Sequence, residues 1–201
     1  MTAIDLDGLD FSKGNGLVTV VTQDAVSGRI LMVAHADREA LERTVTTGEM
    51  HYRSRTRGLW HKGATSGNTQ RVVRLTLDCD ADTVLAQVLP SGPACHTGAV
   101  SCFGSAADSG DVLSRLDGII ASRAVAAEPG SSYTSKLLGD RNLRLKKLGE
   151  EAAELAVACA DGDRARAVDE AADLIYHTLV ALRSLGATLD DVRIALAARQ
   201  K

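Results

Sequence analysis

The chain has 201 residues, of which 45% are hydrophobic, 24% charged and only 3% aromatic, with a formal net charge of −3. That balance supports packed cores and excludes a chain disordered throughout, while the acidic net charge and the scarcity of aromatic stacking platforms argue against nucleic acid as a partner. The longest apolar runs, 17–21 and 30–34, are far shorter than the ~20 residues needed to cross a bilayer, and no charged-then-apolar leader opens the chain, so no membrane association and a cytoplasmic location are expected.

In chain order, short strands are predicted over 16–22, 30–35, 50–53, 70–77 and 83–89, with turn residues at Ser27-Gly28, at Thr47-Gly48 and over 90–92. Residues 37–46 interrupt them as one short helix, opened by Asp37, whose carboxylate suits a cap position. The segment 104–110 is small and polar throughout and reads as a linker. Beyond about residue 111 the spacing becomes helical. Leu145, Leu148, Ala152, Leu155, Ala156 and Cys159 recur at three- and four-residue intervals, as do Leu174, Ile175, Leu179 and Leu182. The expected architecture is an α+β domain, residues 1–106, with short mixed or antiparallel strands and one helix, followed by an all-α domain, residues 107–201. Halves of this size have limited capacity to bury themselves, so a homodimer is expected.

Four cysteines in a reducing compartment do not form a disulfide framework. Cys159, in the Ala-rich run 152–160, reads as a buried small apolar residue. Cys79, Cys95 and Cys102 sit instead among Asp, Gly, Pro and His. Three thiolates can hold Zn²⁺ and leave a fourth position for water, the arrangement of a catalytic site. His96, beside one of these thiols, is open to service as fourth ligand, proton shuttle or ligand support, and proton transfer is the favoured role. Around Cys79, alternation in an extended chain would turn Asp78, Asp80 and Asp82 to one side. Three converging carboxylates repel one another unless a cation lies between them, and hard oxygen ligands suit Mg²⁺.

From Met50 to Leu77 no acidic residue occurs, while His51, Arg53, Arg55, Arg57, His61, Lys62, Arg71 and Arg74 do. Within this cationic stretch, Lys62, Gly63, Ala64, Thr65, Ser66, Gly67 and Asn68 form the kind of small-residue loop whose backbone N–H groups and hydroxyls cradle phosphate. A phosphorylated small molecule is the expected ligand.

The runs Ser54-Arg55-Thr56-Arg57, Leu59 to Asn68, Asp78 to Asp82, Gly92 to Gly98 and Ser101-Cys102-Phe103 resemble the phosphoribosyl-AMP cyclohydrolases over nearly all of residues 11–103. The resemblance implies a homodimer with Zn²⁺ held by three cysteines, one donated across the dimer, and Mg²⁺ held by aspartates. It also implies the chemistry, in which a zinc hydroxide attacks C6 of an adenine made electrophilic by its N1-phosphoribosyl group and the N1–C6 bond breaks. Ala34-His35-Ala36-Asp37 departs from the family pattern, which has an aromatic residue, Met and Asn there.

In the second half, Glu150, Glu151 and Glu154 fall at i, i+1 and i+4 of a helix, and Glu170 and Asp173 lie one turn apart on another, with His177 a turn further. Like charges at that spacing beside Leu148, Ala152 and Leu155, which point to a core, call for a compensating metal. Ser132-Tyr133-Thr134, Lys146 to Glu154 and Glu170 to His177 resemble the phosphoribosyl-ATP pyrophosphohydrolases over about residues 112–199. The resemblance implies Mg²⁺ ligation by Glu150, Glu151, Glu154, Glu170 and Asp173, with Arg144, Lys146 and Lys147 on phosphate. Together the two halves imply consecutive steps of histidine biosynthesis, with phosphoribosyl-ATP and phosphoribosyl-AMP as substrates. A zinc-stabilised nucleic-acid module on a helical dimerisation domain accounts for the thiols and the basic stretch but not for the Asp triplet or the Glu pairs. A closer alternative makes the helical half a house-cleaning nucleotide pyrophosphatase or an inactive dimerisation unit.

Overall fold

The computed structural model describes residues 4–54, 56, 58–104, 111–125 and 132–199. The chain divides into two compact units, residues 1–110 and 111–201. Residues 105–110, most of the expected linker, lie outside the described residues.

The first unit runs β1 (Val18–Asp24), β2 (Ile30–Ala36), α1 (Arg38–Thr47), β3 (His51–Ser54), β4 (Gly58–His61), β5 (Gln70–Leu77) and β6 (Thr83–Pro90). β1, β2, β5 and β6 form one sheet in the order β2-β1-β6-β5, in which only the central β1–β6 pair is parallel, and β3 and β4 form a separate antiparallel hairpin. Alternation decides which face of the central strands is buried. Val18, Val20 and Thr22 of β1 and Val84, Ala86 and Val88 of β6 point inward, where they meet Leu31, Ala40, Leu41, Met50 and Tyr52. The helix begins as the sequence predicts, with the Asp37 carboxylate accepting from Ala40 N.

One polar chain crosses this core. Tyr52 donates its only hydroxyl hydrogen to Gln70 Oε1 at 2.7 Å, so the Thr22 hydroxyl, 2.8 Å away, is the donor to Tyr52. All three side chains are buried, and burial pushes the Tyr52 phenol well above its ordinary pKa. The strand β4 is absent from the sequence expectation. Its four residues are all half-buried and show no alternation to betray it.

The second unit is helical throughout its described residues: α2 (Val112–Val125), α3 (Tyr133–Gly139), α4 (Arg141–Asp161), α5 (Arg164–Arg183) and α6 (Leu189–Ala197). Side chains of Ser132, Asp140, Asp163 and Thr188 cap α3, α4, α5 and α6 respectively. The buried apolar set is small: Ile120, Leu137, Ala158, Leu179, Val180 and Leu189. Here the structure corrects the sequence reading. Leu145, Ala152, Ala156 and Cys159 are exposed, and Cys159 is not a core residue. Periodicity identifies residues sharing a face, whereas burial requires something to cover it, and in α4 this face is uncovered within the single chain.

Candidate active sites

In the first unit two loops build a cavity of about 560 Å³. One is the 62–68 turn, closed by Gly67 N donating to Gly63 O at 2.8 Å. Gly63 has φ of 89°, and a Cβ there would lie 2.5 Å from Asn68 C and Thr69 N, so only glycine allows the turn to fold onto itself. The other loop carries Cys95, His96 and Cys102. A Cβ on Gly92 would sit 2.4 Å from Asn68 Oδ1, so the close approach of the two loops also depends on a missing side chain. The second loop is stitched to the start of β2 by Cys102 N donating to Leu31 O and by the Ser101 hydroxyl donating to Ile30 O, each at 2.8 Å.

Lys62, Thr65, Ser66, Asn68, Cys95 and Cys102 all line this cavity. Lys62 is only 7% exposed, and burial lowers its pKa, partly opposed by the nearby Cys102 and Cys95. The Thr97 hydroxyl donates to Cys95 Sγ at 3.1 Å and holds that thiol below its usual pKa. Cys102 is pushed up by desolvation and by the charge of the neighbouring Cys95, so the pair shares one negative charge readily and two with difficulty. His96 Nδ1 lies 3.9 Å from Cys95 Sγ. Gly67 shapes the turn without lining the cavity, and Arg55 lies outside the described residues.

Cys79 is not with the other two thiols. It sits exposed in the turn before β6, whereas Cys95 follows that strand's far end. Eight residues of β6 at ~3.3 Å each separate the two ends by about 25 Å. No Cys79–Cys95–Cys102 group with sulfurs within 4.8 Å of one another occurs in the single chain.

Around Cys79, carboxylate oxygens of Asp78, Asp80 and Asp82 do converge within 4.8 Å. The cause is a tight turn rather than strand alternation: Asp78 Oδ1 accepts from the backbone of Asp82 and Thr83, and Ala81 takes a positive φ of 59°. The segment before β1 braces this turn, with Asp10 N donating to Ala81 O at 2.7 Å. Lys13 Nζ lies 2.7 Å from Asp80 and 3.5 Å from Asp82 and holds the Asp80 carboxyl below its ordinary pKa. A second cavity, about 530 Å³, opens beside Asp82 and is lined by Lys13, Asn15, Thr19 and His35, the last within the stretch that departs from the family pattern.

In the helical unit, Glu151 and Glu154 of α4 and Glu170 of α5 bring carboxylate oxygens within 4.8 Å of one another. Glu151 is 4% exposed and is compensated by Lys147 Nζ at 2.7 Å, while the buried His177 Nε2 lies 3.8 Å away. Burial lowers the His177 pKa, and its Nδ1 has no hydrogen-bond partner among the described residues. Two expected ligands stand outside this group. Glu150 turns to Lys146 and Lys147, which hold its pKa down, and Asp173 is exposed. Arg144 directs its guanidinium to the carbonyls of Leu137 and Leu138 at 2.8 and 2.9 Å, tying the end of α3 to α4. The Ser132-Tyr133-Thr134 motif is structural in its local contacts: Ser132 caps α3, and Thr134 joins Arg123 and the Tyr176 hydroxyl.

Sequence reasoning did not single out Glu49 with His61, whose ring lies 2.7 Å from the Glu49 carboxylate on the wall of the thiol cavity. The pair depends on the register of β3 against β4, and the sequence offered only the presence of the two residues.

Residues 32–104 match the phosphoribosyl-AMP cyclohydrolase family and residues 113–200 the phosphoribosyl-ATP pyrophosphohydrolase family. Similar over nearly their whole length are proteins named histidine biosynthesis bifunctional protein HisIE. That of Deinococcus radiodurans is 47% identical, covering 98% of this chain and 94% of its own. Those of Bacillus subtilis and Escherichia coli are each 44% identical over 92% of this chain, covering 92% and 91% of their own.

Proposed function

This chain belongs to the family of bifunctional histidine-biosynthesis enzymes that join a phosphoribosyl-AMP cyclohydrolase to a phosphoribosyl-ATP pyrophosphohydrolase, and on that premise we propose how its residues divide the two reactions. The helical unit, with the domain boundary expected at residue 107, removes pyrophosphate from phosphoribosyl-ATP. The strand-rich unit before that boundary opens the adenine ring of the resulting phosphoribosyl-AMP.

For ring opening, Cys95 and Cys102 offer the soft donor set that suits Zn²⁺, since one thiol is already eased toward thiolate by Thr97. Cys79 of the partner subunit is the third ligand, because the chain's own Cys79 is at the opposite end of β6. Zinc held there would supply a water that ionises near neutral pH, the nucleophile for C6. His96, beside Cys95, would serve as the proton acceptor. Lys62, Thr65, Ser66, Gly67 and Asn68, with Arg55, grip phosphate through one buried ammonium and the donors of a tight turn. The Asp78, Asp80 and Asp82 oxygens fit Mg²⁺, a hard cation in an oxygen-only set, with Lys13 offsetting part of their charge. Homodimerisation then completes the zinc site, and it also gives cover to exposed apolar side chains such as Val157 and Val168.

For pyrophosphate release, Glu151, Glu154 and Glu170 hold Mg²⁺, and Glu150 and Asp173, which stand outside that group in the single chain, are further candidate ligands on the same two helices. Lys146 and Lys147 contact phosphate. Arg144 is the third phosphate contact, and through Nη1 it also ties the end of α3 to α4. A cytoplasmic location belongs to the same reading.

The observation that carries this reading is the occurrence in one chain of two chemically distinct sites, a thiol-lined cavity in one unit and an oxygen-only cluster in the other. Its test is to supply phosphoribosyl-ATP to the pure protein and follow pyrophosphate and the ultraviolet change of ring opening separately. Cys95→Ala should lose bound zinc and ring opening while still releasing pyrophosphate. Full zinc occupancy in that variant would overturn the assignment.

A further inference from the structure

His51 and His61 face each other across the β3–β4 hairpin, their rings stacked with centroids 4.5 Å apart and planes 15° from parallel. Glu49, between α1 and β3, fixes both. His51 Nδ1 lies 2.9 Å from the Glu49 carbonyl oxygen, which only accepts, so that nitrogen carries a proton. His61 Nε2 lies 2.7 Å from the Glu49 carboxylate, which as an anion also only accepts. In its neutral form the His61 ring therefore has its hydrogen on Nε2 and a lone pair on Nδ1, and among the described residues Nδ1 has no hydrogen-bond partner. His61 lines the same cavity as Lys62, Cys95 and Cys102.

Stability does not account for this arrangement. The Glu49 and His61 side chains are about a third exposed, and ion pairs in such settings contribute little to stability. What the carboxylate and the stacked His51 ring do achieve is one tautomer in one orientation, which is what a proton-transfer group requires and a surface contact does not.

Resting on the assignment of ring opening to this cavity, we propose that His61 is the residue that protonates the departing ring nitrogen, with Glu49 as its positioning residue. The water oxygen bonds to C6, and of its two hydrogens one ends on the exocyclic nitrogen and the other on N1. As the C6–N1 bond breaks, its electron pair stays with N1, and the electron pair of the C6 hydroxyl O–H bond becomes the second bond of the carboxamide carbonyl. His61 Nδ1 accepts that hydroxyl proton and delivers it to N1. The hydroxyl oxygen and N1 hang on the same carbon, so one ring nitrogen reaches both. Atoms and charge balance without any co-reactant.

The test uses the full-length protein with phosphoribosyl-AMP supplied for ring opening and phosphoribosyl-ATP for pyrophosphate release, the latter serving as a control for folding. His61→Gln keeps an N–H toward Glu49 but cannot shuttle a proton, and kcat for ring opening should fall about a hundredfold with KM little changed. His61→Ala should fall as far and recover in part when free imidazole is added, which loss of structure alone would not allow. Glu49→Gln should lower kcat about tenfold, and should add no further loss when combined with His61→Gln, because a positioning residue has nothing left to position. Cys95→Ala separates the two layers of the argument. If it is inactive while His61→Gln keeps wild-type kcat, the proton-transfer proposal falls and the site stands. If Cys95→Ala itself still opens the ring, the assignment of the cavity falls, and the proposal with it.

Discussion

The proposed zinc ligation by cysteines from two subunits makes a numerical prediction. Zn–S bonds are ~2.3 Å, so three sulfurs on one ion lie within a few ångströms of one another, whereas β6 separates the Cys79 turn from the Cys95 loop by about 25 Å. Within one chain that gap cannot close without dismantling the central strand of the sheet. In a symmetric dimer each of two sites then takes Cys79 from one subunit and Cys95 with Cys102 from the other. Cys79→Ala and Cys95→Ala homodimers should both be inactive in ring opening, since each loses a ligand from both sites. A heterodimer of the two variants concentrates both defects in one site and leaves the other whole. Co-expressed with different affinity tags and purified through both, it should show about half the wild-type ring-opening rate and about half the zinc per dimer. Metal content by mass spectrometry and the ultraviolet change of ring opening measure this directly, and pyrophosphate release should stay at the wild-type level in every preparation. A heterodimer no more active than the parent variants would refute the shared site.

Glu154→Gln removes one carboxylate from the α4–α5 group and should slow pyrophosphate release by about tenfold or more at fixed Mg²⁺ while phosphoribosyl-AMP is still opened normally; equal loss of both activities in a folded variant would contradict the division. Asp80→Asn should raise the Mg²⁺ concentration needed for ring opening, leaving that for pyrophosphate release unchanged, and an unaltered requirement would remove Asp80 from the metal site. Tyr52→Phe strands the buried Gln70 Oε1 and the Thr22 hydroxyl and should cost the strand-rich unit ~1–3 kcal/mol, read as a lower urea midpoint in the fluorescence of Trp60. The single tryptophan lies in that unit, 5.2 Å from Tyr52, so the signal reports this unit alone. An unchanged midpoint would mean that the hydroxyl network adds nothing to stability.

Some of this protein is written in local sequence. Asp37 opening α1, the alternation that buries Val84, Ala86 and Val88, and the change to helical spacing after residue 111 all follow from interactions within a few residues. The same holds for the loops around Lys62 to Asn68 and Cys95 to Cys102, where thiols, hydroxyls and glycines stand together in the chain as they do in the cavity. Tertiary structure decided the rest. Cys159 shares a helix face with Ala152 and Ala156, but nothing in a periodicity says whether that face is covered, and in the single chain it is not. Asp78, Asp80 and Asp82 converge, though by a turn held through Asp78 and braced from residues 10–13 rather than by the alternation of a strand. Glu150 and Glu151 are adjacent in sequence, yet only Glu151 enters the acidic group, because the crossing of α4 against α5 buries one face and leaves its neighbour to the lysines. Glu49 meets His61 only once α1 has handed the chain into β3 and the hairpin has set its register. Residue type and short-range spacing fix what chemistry a segment can offer, whereas which segments meet depends on packing between elements distant in the chain, and no single stretch of sequence encodes that.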